Sequence, residues 1–275
     1  MLHEITPAVL KNQYTDQRLP RPDDRLFIYA NRQVLLLADQ EVPTVKEAVA
    51  NWQVNPEQFT YLFAIDDQAY FLLRQTIPGE NYAGTPTLRQ LSPQSLAFAS
   101  TIAIHLGNWY ETNQYCGRCG HRMVPDKTER ALNCANCGHV EFPKIAPAVI
   151  VGVTHGDQIL LTKFLSNYGY DKFALISGYN EIGETLADTV RREVKEEVGL
   201  SVRHITYFDS QPWGFSGALL VGFFAELDQA ADIQLEKDEL SAAKWFKRVD
   251  IPHDDTTASL SWTMIEAFRQ GKMKH

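Results

Sequence analysis

The chain has 275 residues, 44% hydrophobic and 22% charged, with a formal charge of −8 from 26 basic and 34 acidic side chains. This is an ordinary globular composition, long enough for two domains and a small insert. The acidic balance argues against a dedicated nucleic-acid binder but not against a phosphate substrate, because a bound metal ion reverses the local field. No apolar run approaches the roughly 18 residues of a membrane span, and Met1–Pro20 lacks the apolar core of a secretory signal. A cytoplasmic protein with no membrane partner is expected.

In chain order, Leu26–Tyr29 and Val34–Leu37 flank Asn31-Arg32, and Tyr61–Ala64 and Tyr70–Leu73 flank Asp66-Asp67. Both pairs predict β-hairpins, being rich in β-formers around turn residues. A loop over 78–86 leads to Ser92-Pro93, which predicts a long helix with Ser92 as N-cap and Pro93 at its first position. It should run to about Tyr110, with Gly107-Asn108 as its point of interruption. Residues 1–111 read as a small α+β domain without a catalytic constellation.

All four cysteines then fall within 22 residues, as Cys116-x2-Cys119 and Cys134-x2-Cys137 separated by fourteen residues. Two such knuckles predict a zinc ribbon over 112–142. Four thiolates fill a tetrahedral site, so the ion would be structural, not hydrolytic. The competing reading, two disulfides or a redox pair, fits the paired spacing and the expected compartment less well. His121 and His139 are read as surface or outer groups, since four cysteines suffice. Arg118, Arg122, Lys127 and Arg130 make the module locally basic, which suits a solvated surface better than an RNA contact.

Residues 143–275 form the third region. Strands are predicted at Ala148–Val153, Gln158–Phe164, Phe173–Ser177, His204–Phe208, Ala218–Leu227 and Ala243–Phe246. One helix follows the third strand, and a last helix places Leu260, Met264 and Phe268 on one face. This order suits an α/β/α sandwich around a mixed sheet, so the whole chain is of the α+β class.

Chemistry concentrates between Gly178 and Leu200, which fit G-x5-E-x7-R-E-U-x-E-E-x-G-U without a mismatch, U being bulky and apolar. Thr185 with Asp188 forms a capping box, Gly199 stops the helix, and Leu186, Val190, Val194 and Val198 make one apolar stripe. Glu193, Glu196 and Glu197, related as i, i+3 and i+4, share an adjoining face. Three acids in the C-terminal half of a helix repel one another and lie near the negative end of its dipole. A hard divalent cation, Mg²⁺ or Mn²⁺, resolves that repulsion with oxygen ligands. An isolated E-x-x-E-E reads instead as a solvated face paired with Arg192 and Lys195. The registered Gly178, Glu184, Arg192 and Gly199 favour the metal.

This motif is the signature of the Nudix hydrolases. With the ribbon and Ser210-Gln211-Pro212-Trp213 beyond it, the chain resembles their NADH pyrophosphatase branch, in detail over residues 92–250 and in layout alone before that. The resemblance implies an N-terminal Nudix-like domain, a zinc ribbon and a catalytic Nudix domain, assembled as a homodimer. It implies hydrolysis of NADH or NAD⁺ to nicotinamide mononucleotide and AMP, and removal of NAD caps from RNA. It places the metal on Glu193, Glu196, Glu197 and Glu239, with Arg192 orienting a glutamate, and a nicotinamide-stacking aromatic at Tyr179. Gln211, Trp213, Phe215 and Phe142 are further substrate-contact candidates. The branch's S-Q-P-W-P-F-P-x-S reads Ser210-Gln211-Pro212-Trp213-Gly214-Phe215-Ser216-Gly217-Ala218 here, which predicts a looser substrate loop. Phe142 stands in place of a Tyr. The competing functions are a broader hydrolase of ADP-ribose or dinucleoside polyphosphates and, more distantly, an inactive nucleotide-binding scaffold, against which the intact glutamate set argues.

Overall fold

The computed structural model of the chain describes residues 1–14, 18–165, 172–236, 238–251 and 258–273. The chain divides into two compact units, Leu2–Lys144 with Gly214–Gly217, and Met1 with Ile145–Trp213 and Ala218–His275.

The first unit begins with β1 (Leu10–Lys11), β2 (Arg25–Ala30), β3 (Gln33–Leu35), α1 (Val45–Trp52), β4 (Thr60–Ile65), β5 (Gln68–Arg74), β6 (Tyr82–Ala83), α2 (Thr85–Leu88) and α3 (Gln94–Thr112). The strands form one mixed sheet, ordered β1-β4-β5-β2-β3-β6. Both expected hairpins are present. The first turns through Asn31 and Arg32 at φ of 50° and 61°, the double left-handed geometry that keeps two short strands in twist. A parallel pairing of β2 with β5, Tyr29 opposite Arg74 at its end, joins the hairpins. No local signal announces it.

The long helix departs from expectation at both marked points. It starts at Gln94 with Pro93 as N-cap and no side-chain cap, so Ser92 does not cap it. It also runs unbroken through Gly107. A Cβ at that glycine would lie 2.5 Å from the ring of Tyr29, which is only 1% exposed. Glycine costs a helix interior about 1 kcal/mol, while burying a large aromatic is worth about 1.5–3 kcal/mol. The residue makes room for the ring and does not break the helix.

The ribbon strands β7 (Val124–Pro125), β8 (Leu132–Asn133) and β9 (Val140–Glu141) form a small antiparallel sheet in the same unit. Arg130, one of the basic ribbon residues, is structural. Its Nη2 donates to the Leu62 carbonyl at 2.5 Å and to Asn12 Oδ1 at 3.3 Å, and its guanidinium lies 5.2 Å from the Tyr14 ring centre.

The second unit holds β10 (Ala146–His155), β11 (Gln158–Phe164), β12 (Ile176–Tyr179), α4 (Leu186–Val198), β13 (Val202–Trp213), β14 (Ala218–Leu227), β15 (Leu240–Lys247) and α5 (Leu260–Arg269). The order is β13-β14-β10-β11-β15, with β12 on β10 and a parallel β10–β14 pair among antiparallel ones. Alternation along β10 explains the layers. Val149, Val151 and Val153 pack with Val190, Val194 and Val198 of α4, while Ile150 joins Leu260, Met264, Ile265 and Phe268 of α5. This is the expected α/β/α sandwich. Among the described residues no helix is long and apolar enough to cross a membrane.

One expectation fails here. Ser210–Trp213 is the end of β13, laddered onto β14 from Ser210↔Val221 to Trp213↔Ala218, and only residues 214–217 form a turn. Gly214 is not a source of looseness either. A Cβ there would sit 2.2 Å from the Thr101 carbonyl oxygen of α3, so the lost proline is a steric necessity.

Candidate active site

The motif helix is built locally. Thr185 Oγ1 accepts from the Asp188 amide at 3.2 Å, and Asp188 Oδ2 accepts from the Thr185 amide at 3.2 Å. Gly199 closes the other end at φ 73°, donating its amide to the Lys195 carbonyl. The buried valine stripe fixes the helix on the sheet and turns Glu193 and Glu197 toward β12.

Arg192 is the hub of the polar face. Its Nε and Nη2 grip Glu184 at 2.6 and 3.0 Å, a bidentate pair. Its Nη1 reaches Glu193 Oε1 at 2.7 Å and Glu196 Oε2 at 2.9 Å, and Nη2 also donates to the Tyr179 carbonyl at 2.9 Å. Such charge-assisted bonds orient carboxylates firmly. The guanidinium holds Glu184 down at about 2. Glu184 is further fixed by Thr189 Oγ1 at 2.9 Å, and Asn180 donates to that hydroxyl at 2.6 Å. Sequence reasoning placed Glu184 in the motif but gave it no role. Asn180 and Thr189 carried no signal beyond proximity.

Glu197 is only 2% exposed. Its Oε1 accepts the Ser177 amide at 3.3 Å, while its buried Oε2 has no hydrogen-bond partner. Burial chiefly pushes its carboxyl up to about 8, against the Ser177 amide, with Glu239, Glu193 and Glu236 adding repulsion. Burial also raises Glu193, opposed by Arg192 and reinforced by Glu196 and Glu239. An orphaned buried acceptor costs about 1–3 kcal/mol. A hard cation would remove that cost, so the donor set fits one. Glu193, Glu196, Glu197 and Glu239 would hold it. Glu193 and Glu196 are turned to Arg192, however, and the glutamates do not form a cluster with all ligand atoms within 4.8 Å, as the cysteines do.

A cleft of about 550 Å³ opens here, lined among others by Ser177, Gly178, Tyr179, Glu193, Phe164 and Glu239. Tyr179, 52% exposed, is one of the lining residues. Phe164 is an aromatic lining that sequence reasoning missed; it looked like any strand residue. Two candidate contacts are corrected. Gln211 is 0% exposed and both ends of its amide are used, Nε2 on the Ala258 carbonyl at 2.8 Å and Oε1 on the Leu260 amide at 2.7 Å. It anchors the start of α5. Phe215 is buried in the first unit, so it presents no open stacking face. Trp213 is half-buried at the end of β13, and Phe142 is exposed on the ribbon.

The four thiols converge. Sulfur separations are 3.6 Å for Cys116–Cys137 and 3.4 Å for Cys119–Cys134 and Cys119–Cys137, near the roughly 3.8 Å edge of a tetrahedron with metal–sulfur bonds of about 2.3 Å. All four are free of disulfides. Each knuckle turns on a left-handed glycine, Gly120 and Gly138, whose amides bond Cys116 and Cys134 carbonyls. His121 bonds the Cys119 carbonyl and His139 bonds Glu141, outside the sulfur cluster.

The NUDIX domain family profile matches residues 144–268, enclosing the helix, the cleft and both flanking layers. This chain contains a Nudix domain. Upstream of it, residues 111–142 match the NADH pyrophosphatase zinc ribbon domain. The "NAD-capped RNA hydrolase NudC" of Escherichia coli O157:H7 is 40% identical over 163 residues, 59% of this chain and 63% of that protein. Its namesake from Shigella boydii serotype 18 matches with the same identity and coverage. The chain thus spans less than two thirds of the length of these curated relatives. A NUDIX hydrolase crystal structure from Nitrosomonas europaea is similar at TM-score 0.48 and 20% identity, over 57% of this chain and 91% of that one.

Proposed function

We propose that the Nudix domain hydrolyses the pyrophosphate of NADH or NAD⁺ to nicotinamide mononucleotide and AMP, and acts on the same linkage in NAD-capped RNA. The observation that carries the reading is the buried Glu197 carboxylate, one oxygen without a partner, on the intact motif helix of a chain that also bears an NADH pyrophosphatase zinc ribbon. Mg²⁺ or Mn²⁺ held by Glu193, Glu196, Glu197 and Glu239 would supply charge neutralisation at the phosphates and a more acidic bound water. The protein's own groups do the rest. Arg192 and Glu184 fix the glutamate face, Tyr179 stacks on a base at the open side of the cleft, and Glu239 stands at the cleft as an acceptor for the water proton.

The ribbon ion is zinc and structural, as four sulfur ligands leave no open position. The exposed Tyr115, Val124, Val140 and Phe142 of the ribbon give apolar surface for a second copy, which supports a homodimer. Four free thiols suit the reducing cytoplasm.

The test is to incubate the full chain with NADH, NAD⁺ and ADP-ribose, each with Mg²⁺ or Mn²⁺, and to quantify products. Equimolar nicotinamide mononucleotide and AMP from NADH, with the highest kcat/KM, is expected. Preference for ADP-ribose would move the chain to the broader hydrolases, and no cleavage of any of the three would overturn the reading.

A further inference from the structure

We propose that the first unit carries a second ligand site, a cleft at the carboxyl ends of β2 and β5 that binds a phosphate-bearing nucleotide through Arg74 and Arg122. The cleft holds about 620 Å³ and is formed by the end of β2, the end of β5, the last turn of α3 with the residues after it, and the ribbon. β2 and β5 are the two central, parallel strands of their sheet. Crevices beyond the carboxyl ends of parallel strands are where open sheets bind ligands, since the chain diverges there and leaves backbone and side chains unpacked.

Its lining has a definite chemistry. Arg74 and Arg122 supply guanidinium groups, and Asn31, Gln58, Gln75 and Gln114 supply carboxamides. Neither arginine forms an ion pair with a carboxylate among the described residues. Although Arg74 is exposed as a residue, partial desolvation lowers its pKa, opposed by Tyr110 and Glu111 and reinforced by like-charge repulsion from Arg122. Two cations therefore face one space in a chain of net charge −8. Arg74 is held in place by Nη1 on the Tyr110 carbonyl at 3.3 Å and by the Tyr110 ring 5.2 Å away, which leaves its other N–H donors free for an anion. The single lining carboxylate, Glu111, accepts from the Tyr29 hydroxyl at 3.2 Å and also attracts Arg74 without forming an ion pair with it.

Guanidinium forks match phosphate oxygens, and Asn or Gln amides match the donor–acceptor edge of a base such as adenine. The combination selects a nucleotide over inorganic phosphate or a dicarboxylate. The residues are separate from the catalytic face, and the proposal stands independently of the hydrolytic reading. The phosphate could belong to a free nucleotide or to an RNA chain, and the probes separate these sources.

The experiment is calorimetric titration of the full chain, without divalent metal, with AMP, adenosine and a hexaribonucleotide bearing hydroxyl ends. Wild type should show a class of AMP sites that Arg122→Gln weakens at least tenfold and Arg74→Gln/Arg122→Gln removes. NADH turnover should stay within twofold. Adenosine should bind at least tenfold more weakly than AMP. Hexanucleotide binding with the same arginine dependence and no such AMP class would place the phosphate in RNA. Melting curves check folding; should the double variant fail to fold, Arg122→Gln alone decides, being an exposed change. Identical isotherms for wild type and Arg122→Gln with both AMP and the hexanucleotide would overturn the proposal.

Discussion

Gly178 and Glu193 are in mutual contact: a Cβ on Gly178 would lie 2.0 Å from the Glu193 carboxyl carbon. The first glycine of the motif is thus required by the helix glutamate that packs onto β12, and not by backbone conformation.

Gly178→Ala should therefore leave the fold standing and displace one carboxylate, because the group that must move is the far end of a flexible side chain. We expect kcat to fall at least tenfold, about 1.4 kcal/mol of transition-state stabilisation, with thermal stability nearly unchanged. Steady-state kinetics across a Mn²⁺ titration, beside a melting curve, checks this. Unaltered kcat would show that Glu193 is free to work from elsewhere.

Glu197→Gln keeps shape and removes a buried charge with an orphaned oxygen. Turnover should drop by at least two orders of magnitude, the loss of an essential metal ligand being worth several kcal/mol. Without divalent metal the variant should melt close to wild type near pH 7, because burial pushes the Glu197 carboxyl up to about 8 and a neutral amide then replaces a largely neutral acid. Activity within threefold of wild type would remove Glu197 from the metal site.

Gly214→Pro should destabilise by about 1–3 kcal/mol, the usual cost of overpacking, since the added atoms enter the Thr101 carbonyl. It should not lower KM for NADH. Denaturant unfolding and NADH kinetics on this variant decide between a steric role and a loose loop.

Cys134→Ser should lose bound zinc and stability together, as closed four-cysteine sites contribute directly to folding free energy. Elemental analysis paired with melting reads both. Unchanged melting after loss of the metal would make the ion dispensable.

Glu47 offers a pH test away from any metal. Its Oε2 accepts the Thr44 amide at 2.8 Å and hydroxyl at 2.7 Å in the capping box of α1, and these bonds, the amide first, lower its pKa. A depressed folded pKa contributes stability above the unfolded value, about 4.3. That contribution is lost as pH falls through the folded value. Glu47→Gln should be less stable than wild type at pH 6–7, with the gap closing below about pH 4. A gap constant from pH 7 to 3 would show that the charge of Glu47 is immaterial.

The motif helix and the ribbon were legible in the sequence because their determinants are local. A capping box spans four residues, the glutamate face follows from the helical repeat, and each knuckle closes within its own turn. The sandwich was legible too, through alternation along β10 and the apolar stripes of α4 and α5. Tertiary structure alone decided what depends on partners remote in sequence. Glu184 becomes the anchor of Arg192 only when the turn before α4 folds back beside the helix. Gln211 looked available for substrate until Ala258, just before α5, and Leu260, its first residue, supplied the groups that consume its amide. Gly107 and Gly214 read as breaks or looseness, yet each answers a group far along the chain, the Tyr29 ring and the Thr101 carbonyl. A glycine's meaning lies in what occupies the space its missing Cβ leaves, and that space is defined only once the chain has folded.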